Sequence, residues 1–269
     1  VTAFEEVLAA PGRRLLVRAD RRAAVLEAGL LLPSAWEERL HGHGSGRGRS
    51  GRLVLPDGAL SLKRMRRGGI LGRLWTDRFL GRGRLVENVT VAREAVARGV
   101  ATPAPVALLT EEGPRGFFRG WLATELVEEA RDLAALLAEG GAGPAEIGVA
   151  LRAVRAMHDA GIEHRDLNLG NLLLRRSPSG LAAFVIDLDR ARVRPQPLPK
   201  GARQAALRRL ERSHAKLFGA PGPQGGDGWE WYEAYAAGDT EMERLLAAGR
   251  PVGRLRLALH RKLGHRRAR

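Results

Sequence analysis

Two short strings place oxygen-bearing side chains at fixed spacing. One is His164-Arg165-Asp166-Leu167-Asn168-Leu169-Gly170-Asn171, and the other is Ile186-Asp187-Leu188-Asp189. Asp166 falls at the end of a turn, Asn171 at the start of a strand, and Asp187 at the close of the next strand, across a hairpin from Asn171. Three oxygen ligands are then gathered at one end of a small two-stranded unit. Asn and Asp oxygens are hard donors of the kind magnesium takes, with one or two carboxylates completed by substrate phosphates. A carboxylate that is not a ligand can orient a hydroxyl nucleophile and accept its proton. The chemistry these residues could do is therefore metal-assisted transfer to a hydroxyl, with Asp166 as base and Asn171 and Asp187 as metal ligands. Any one of the three alone would be equally at home as a surface turn residue; the whole string in strand–turn–strand context is more specific.

Around this string the chain alternates short elements. Arg52–Leu55 and Ala59–Met65 are predicted strands joined by Pro56-Asp57-Gly58, which is turn chemistry. Leu85–Arg98 has helical periodicity and stops at Gly99. Pro103 and Pro105 force an extended stretch, and Phe117–Val127 is a strand leading into a linker. Asp132–Glu139 and Pro144–Ala160 are predicted helices, the second ended by Gly161. Asn171–Leu174 and Ala182–Ile186 are strands about a Ser177-Pro178-Ser179-Gly180 turn, and from Ala202 onward the chain is helical, broken by a Gly/Pro-rich stretch at Gly219–Gly228. The first 40 residues offer short apolar runs, Leu15–Val17 and Ala28–Leu32, and a possible helix over Ser34–Leu40. A strand-rich first part and a helix-rich second part predict an α+β protein of two lobes meeting near residues 125–131. The N-terminal lobe is expected over 1–127 and the C-terminal lobe over 128–269.

Bulk properties narrow the class. With 269 residues and 44% hydrophobic content the chain can bury a proper core. It has no cysteine, so disulfides, thiolate metal sites and cysteine nucleophiles are excluded. No apolar run approaches the roughly 20 residues of a membrane-spanning helix, and Glu5 and Glu6 stand where a basic leader would be, so no signal peptide is expected and the cytoplasm is the expected compartment. The net charge of +15 is carried almost wholly by arginine, in a chain also rich in Ala, Gly, Leu and Val. A GC-rich coding sequence would produce that bias, but so positive a field attracts polyanions whatever its origin.

Further candidates follow from position. Gly46, Gly48 and Gly51 fit a G-x-G-x-x-G loop ahead of a lysine-bearing strand, with Gly42 and Gly44 offering other registers. Such a loop lets backbone N–H groups approach phosphates. Lys63 lies in Leu60-Ser61-Leu62-Lys63, where alternation turns it to the face of Ser61 and Met65. Glu87 and Glu94, seven residues apart on the following helix, could each pair with it, and Glu87 is preferred. Arg66, Arg67, Arg190 and Arg192 are candidates for holding an anionic acceptor, and Asn168 is a further acceptor-binding candidate. Arg250–Arg269 contains no acid and repeats Leu255, Leu259 and Leu263 among basic residues, a basic amphipathic helix suited to an anionic membrane surface, to packing on the protein or to nucleic acid.

His164–Asn171 followed by Asp187 matches the spacing of the protein-kinase catalytic loop and its metal-binding aspartate. Beyond that, KRMRRGG (Lys63–Gly69), TDRFLGRGR (Thr76–Arg84), GVATPAP (Gly99–Pro105), HRDLNLGN and VIDLDRAR (Val185–Arg192) resemble bacterial Kdo kinases. ALRRLERSHAKL (Ala206–Leu217) and Trp229–Tyr235 also resemble the C-terminal helices of that family, the lipopolysaccharide core kinases acting on 3-deoxy-D-manno-octulosonic acid (Kdo) or heptose. The resemblance covers roughly residues 60–235. It implies a protein-kinase-like fold, with an antiparallel N-lobe sheet carrying one main helix and a mostly helical C-lobe. It also implies ATP and Mg2+ as cofactors, a glycolipid acceptor, and a monomer on the inner face of the inner membrane. Carried over, Asp166 is the base, Asn171 and Asp187 bind metal, and Lys63 lies near the ATP phosphates. Arg165 departs from the small residue Kdo kinases often have, and the first 40 residues have no counterpart. No A-P-E follows Asp187, and Asn168 stands where protein kinases place lysine, which favours a non-protein acceptor. Competing readings are a kinase with another small-molecule or protein acceptor, and a non-catalytic basic protein binding membrane or nucleic acid.

Overall fold

The computed structural model describes residues 2–40, 50–66, 77–222 and 228–247. The chain divides into two compact units, Val1–Glu129 and Ala130–Arg269.

Unit 1 is a seven-stranded antiparallel sheet with helices on both faces. Its elements are β1 (Phe4–Ala10), β2 (Arg13–Arg18), α1 (Arg22–Glu27), α2 (Pro33–Glu37), β3 (Ser50–Leu55), β4 (Gly58–Arg64), β5 (Phe79–Leu80), α3 (Gly83–Ala97), β6 (Pro105–Glu112) and β7 (Phe117–Glu125). The strand order is β1-β2-β6-β7-β4-β3, with β5 added to β7. Alternation along β4 divides its side chains between two cores. Leu60 and Leu62 join Leu15, Val17, Leu109 and Trp121 in a cluster closed by Val25, Leu30 and Trp36 from the α1–α2 region. Met65 points the other way, to a cluster with Leu108, Leu122, Leu85 and Val89 beneath α3. Lys63 is opposite Leu122 in the ladder and so stands on the α3 face.

The first 40 residues, which had no counterpart in the sequence comparison of motifs, complete this sheet. β1 and β2 extend it through β6, and α1 and α2 cover its second face. The expected helix over Ser34–Leu40 is one turn at Pro33–Glu37, opened by Pro33 at its first position. Trp36 anchors it by donating Nε1–H to the Leu30 carbonyl at 2.9 Å. α3 buries Leu85, Asn88, Val89, Ala92 and Ala95, a 3.6-residue stripe. Its end is a Schellman motif: Gly99 has φ +76°, Gly99 N–H bonds the Val96 carbonyl and Val100 N–H that of Ala95, both at 3.0 Å.

Unit 2 comprises β8 (Ala130–Asp132), α4 (Leu133–Ala138), α5 (Pro144–Asp159), β9 (Ile162–Glu163), β10 (Leu172–Ser177), β11 (Gly180–Val185), β12 (Arg192–Val193), α6 (Lys200–Phe218), α7 (Trp229–Ala236) and α8 (Thr240–Ala247). Asp132 caps α4, accepting the Ala135 N–H at 2.8 Å. The small unit expected to have two strands has three, in the order β11-β10-β8, because the short β8 pairs along the free edge of β10. The β10–β11 hairpin closes with Ser177 opposite Gly180. The basic helix expected over Arg250–Arg269 lies outside the described residues.

The helices of unit 2 are joined by a buried polar network. Arg203 on α6 donates to the Tyr235 hydroxyl at 2.8 Å and to the Leu198 carbonyl at 2.7 Å, and pairs with Asp159 at 2.6 Å. The Tyr235 hydroxyl lies 2.9 Å from His158 Nδ1. The guanidinium can only donate, so the Tyr235 oxygen accepts from it and its O–H is able to donate in turn to His158. Burial pushes the His158 pKa down to about 3, helped by the positive charge of Arg203. Burial also holds His164 below the usual imidazole range. An unfolded histidine, at about 6.5, takes up its proton first as pH falls. The contribution is therefore complete above about 6.5 and is lost below it. From His158 alone, stability should fall by about 2 kcal/mol between pH 7 and pH 5. Urea unfolding at the two pH values measures this, and the difference should shrink in His158→Asn.

Candidate active site

The site in unit 2 is built on the loop between β9 and β10. Leu167 and Leu169 are buried and anchor it, while Asp166, between them and His164, is exposed. His164 is buried and makes two backbone bonds. Nε2 is 3.0 Å from the Ile186 carbonyl, and Nδ1 accepts the Asp166 N–H at 3.2 Å. A carbonyl can only accept, so Nε2 carries the proton and the ring is neutral. One imidazole therefore ties the backbone of Asp166 to the residue before Asp187.

The two asparagines complete the loop. Both donate side-chain N–H to the Asp166 carbonyl, Asn168 at 2.9 Å and Asn171 at 3.0 Å. Asn168 Oδ1 accepts the Gly170 N–H at 2.9 Å, so the amide proposed for acceptor binding is engaged at both ends with its own loop. Asn171 sits in a single 3-10 turn, Leu169–Asn171, just before β10. Its carbonyl accepts the Ile186 N–H at 2.9 Å, extending the β10–β11 ladder by one bond. Leu169 N–H donates to Ser213 Oγ at 3.2 Å, which fastens the loop to α6.

Asp187 follows two residues after β11 and has φ +62°. Left-handed backbone is uncommon for any residue with a Cβ, costs on the order of 1–3 kcal/mol, and collects at functional positions. Asp187 and Asp166 are both within electrostatic reach of the His164 ring. The three residues singled out by spacing, Asp166, Asn171 and Asp187, are thus brought to one end of the β10–β11 hairpin. The donor set fits magnesium. Hydrogen bonding of Asn171 through Nδ2 leaves Oδ1 as an oxygen donor, and Asp187 supplies a carboxylate. No group of three or more His, Cys, Asp or Glu that could hold a metal occurs among the described residues. A magnesium ion would therefore take few oxygens from the chain, as it does alongside phosphates.

A second clasp closes the loop from behind. β9 and β12 pair antiparallel, with Arg192 opposite Glu163. Arg194 donates through Nε at 3.0 Å and a terminal nitrogen at 2.7 Å to Glu163 Oε2. That bond, above all, holds the Glu163 carboxyl below its usual range. Arg190 and Arg192 are exposed on the stretch leaving Asp187.

Unit 1 carries the remaining candidates. Lys63 is half-buried on the α3 face of β4, and Arg66 is exposed just beyond it. Glu87 is exposed on α3, and Glu94 bonds Arg98 at 2.8 Å. Gly51 pairs with Leu62 inside β3. A Cβ there would come within 2.2 Å of the Arg39 carbonyl oxygen, so the close approach of two backbones already requires glycine. Gly46, Gly48 and Arg67 lie outside the described residues. Spacing alone did not single out α6, which the Leu169–Ser213 bond ties to the loop; the signal available was the run of arginines around Ser213 in ALRRLERSHAKL.

The profile of the lipopolysaccharide kinase (Kdo/WaaP) family matches residues 34–235. A 3-deoxy-D-manno-octulosonic acid kinase of Stenotrophomonas maltophilia is 34% identical over 202 residues, covering 72% of this chain and 77% of that protein. The protein of the same name from Vibrio cholerae is 28% identical over 190 residues, covering 68% and 78%. A solved structure, "WaaP in complex with acyl carrier protein", superposes with a TM-score of 0.53 over 87% of this chain and 97% of that one. At 20% identity that likeness speaks to fold alone. A family match reaching from α2 through α7, with the His164–Asn171 loop inside it, makes this chain a member of the lipopolysaccharide kinase (Kdo/WaaP) family.

Proposed function

We propose that this protein is an ATP-dependent kinase that phosphorylates a sugar hydroxyl, on Kdo or heptose, of the lipopolysaccharide inner core. The observation that carries the reading is the hydrogen-bonded arrangement by which neutral His164 links the Asp166 backbone, itself bonded to Asn171, to Ile186 beside Asp187. Kdo is favoured as acceptor by relatives that are named as Kdo kinases. On this reading the two units are the lobes of a protein-kinase-like fold, unit 1 serving the nucleotide and unit 2 the chemistry.

Asp166 orients the attacking hydroxyl and accepts its proton from an exposed position on a loop fixed at both backbone ends. Asn171 Oδ1 and the Asp187 carboxylate would hold magnesium, which supplies neutralisation of the phosphate charge. Lys63 binds the ATP phosphates, with Glu87 as its partner and the amides of Gly46, Gly48 and Gly51 beside them. Arg66, Arg67, Arg190 and Arg192 attract the anionic acceptor. Among the described residues no helix is long and apolar enough to cross a membrane. We place the protein at the inner face of the inner membrane, where its basic tail meets anionic lipid.

The test is transfer of labelled phosphate from ATP to purified Kdo–lipid A. Label should appear on the glycolipid and vanish with Asp187→Ala. Slow ATP hydrolysis abolished by the substitution, without transfer, would keep the kinase and reject this acceptor; neither transfer nor ATP binding would overturn the reading.

A further inference from the structure

Helix α6 carries two arginines that the proposed chemistry does not use. Arg209 and Arg212 are half-buried, and neither makes a hydrogen bond or ion pair among the described residues. The contrast with their neighbours is sharp. Arg203, on the same helix, is matched by Asp159, Tyr235 and the Leu198 carbonyl. Arg155 is matched by Asp239, and Arg194 by Glu163. Drawing a guanidinium partly out of water without a partner is unfavourable. Burial lowers the pKa of both Arg209 and Arg212; Glu163 and Asp166 oppose this at Arg209 and Glu211 at Arg212, while neighbouring arginines add to the lowering at each. Two such groups side by side on one helix make a poor structural element and a good receptor for an anion.

Their position is fixed by geometry. Ser213 lies one turn beyond Arg209 and next to Arg212, and its hydroxyl accepts the Leu169 N–H of the catalytic loop at 3.2 Å. Residues three and four apart share a helix side, so the arginines flank the point where α6 meets the loop. Arg209 is within electrostatic reach of Asp166, Glu163 and the exposed Arg165. Glu163 is already committed to Arg194. Arg209 and Arg165 are therefore the guanidiniums in reach of the Asp166 carboxylate, which must stay available to a hydroxyl, and Arg212 lies one turn along α6 from Arg209.

We propose that Arg209 and Arg212, assisted by Arg165, clamp an acid group of the acceptor while its hydroxyl rests against Asp166. This rests on the reading of the protein as a kinase of an acidic sugar. The recognised chemistry is a planar or tetrahedral oxyanion that a guanidinium fork holds by two parallel bonds. It comes either from the carboxylate of the sugar or from a phosphate of the glycolipid.

The experiment compares the wild type with the double variant Arg209→Met, Arg212→Met, which keeps apolar bulk and removes both charges. The Tm should hold or rise, because unpaired, partly buried charge is removed. Loss of charged hydrogen bonds should raise the acceptor KM by roughly 10- to 100-fold, with a far smaller change in the KM for ATP. Thermal shift then separates the sources without turnover. Free Kdo carries only the carboxylate, and glucosamine 1-phosphate only the phosphate. Stabilisation of the wild type by either probe, absent in the double variant, supports the clamp and names the group. An unchanged acceptor KM, a parallel rise in the KM for ATP, or no stabilisation of the wild type by either probe overturns it. Should Kdo–lipid A fail as a substrate of the wild type while probe stabilisation is lost in the variant, the proposed reaction falls and the anion clamp stands.

Discussion

Asp166→Ala should lower turnover by about 10² to 10⁴, the usual contribution of a positioned general base. The loss should be almost purely catalytic. The Asp166 side chain is exposed, and what holds the loop is its backbone. Its N–H is bonded to His164, and its carbonyl accepts from Asn168 and Asn171. None of these bonds involves the carboxylate, so alanine leaves them in place. Unfolding should therefore move little, since substitutions of exposed side chains away from caps and networks usually stay within about 0.5 kcal/mol. Steady-state kinetics beside a thermal melt separates the two. Near-normal turnover in a well-folded variant would remove Asp166 from the role of base.

His164→Leu should act on the same step from a distance and also cost stability. Leucine fills much of the same buried space but leaves the Asp166 N–H and the Ile186 carbonyl without their partner. Each buried polar group left unpaired costs about 1–3 kcal/mol. Freed of its bridge, the carboxylate of Asp166 no longer keeps a fixed place relative to Asp187. A displacement of about 1 Å in such a group can cost on the order of 10²-fold in rate. On the proposed mechanism His164 only positions the base, and burial holds it neutral, so it should put no ionisation of its own on the rate profile near pH 6.5. His164→Gln, which can still bond one side, should recover part of kcat while keeping the wild-type pH profile. If kcat survives in His164→Leu at temperatures where the variant is folded, the bridge does not position the base.

The pattern of what could be anticipated from residues follows from where the folding information lies. The β10–β11 hairpin was visible because Leu172, Leu174, Ala183 and Val185 alternate inward about a turn. α3 and α5 were visible because each carries a 3.6-residue apolar stripe and ends at a glycine of positive φ, Gly99 and Gly161. The gathering of Asp166, Asn171 and Asp187 followed from the same hairpin. What stayed hidden were elements that exist only through a partner. β8 is three residues long and contains Arg131; it is a strand because the edge of β10 accepts it. β9 and β12 are two residues each, and their pairing depends on residues some thirty positions apart meeting in space. β1 opens Phe4-Glu5-Glu6 with both acids exposed, one on each face of an edge strand, and carries no period-2 apolar signal strong enough to stand alone. α6 was expected as a helix, but which of its arginines would find acids and which would not depends on α5 and α7, and no local pattern encodes it.

The clasp of β9 and β12 has a bearing on control. After Asp187 the chain makes one turn, pairs Arg192–Val193 with Ile162–Glu163, and is pinned by Arg194 N–H to the Gly161 carbonyl at 2.9 Å and by Leu198 N–H to the His158 carbonyl at 2.9 Å. α6 begins at Lys200. Residues 188–199 read Leu-Asp-Arg-Ala-Arg-Val-Arg-Pro-Gln-Pro-Leu-Pro, with no serine, threonine or tyrosine. In protein kinases this stretch is where a phosphate on a hydroxyl residue throws the switch between idle and working states. Here it has no hydroxyl to modify and little slack to rearrange. On the proposed function, control by a covalent mark on a hydroxyl of this segment is not open to the protein.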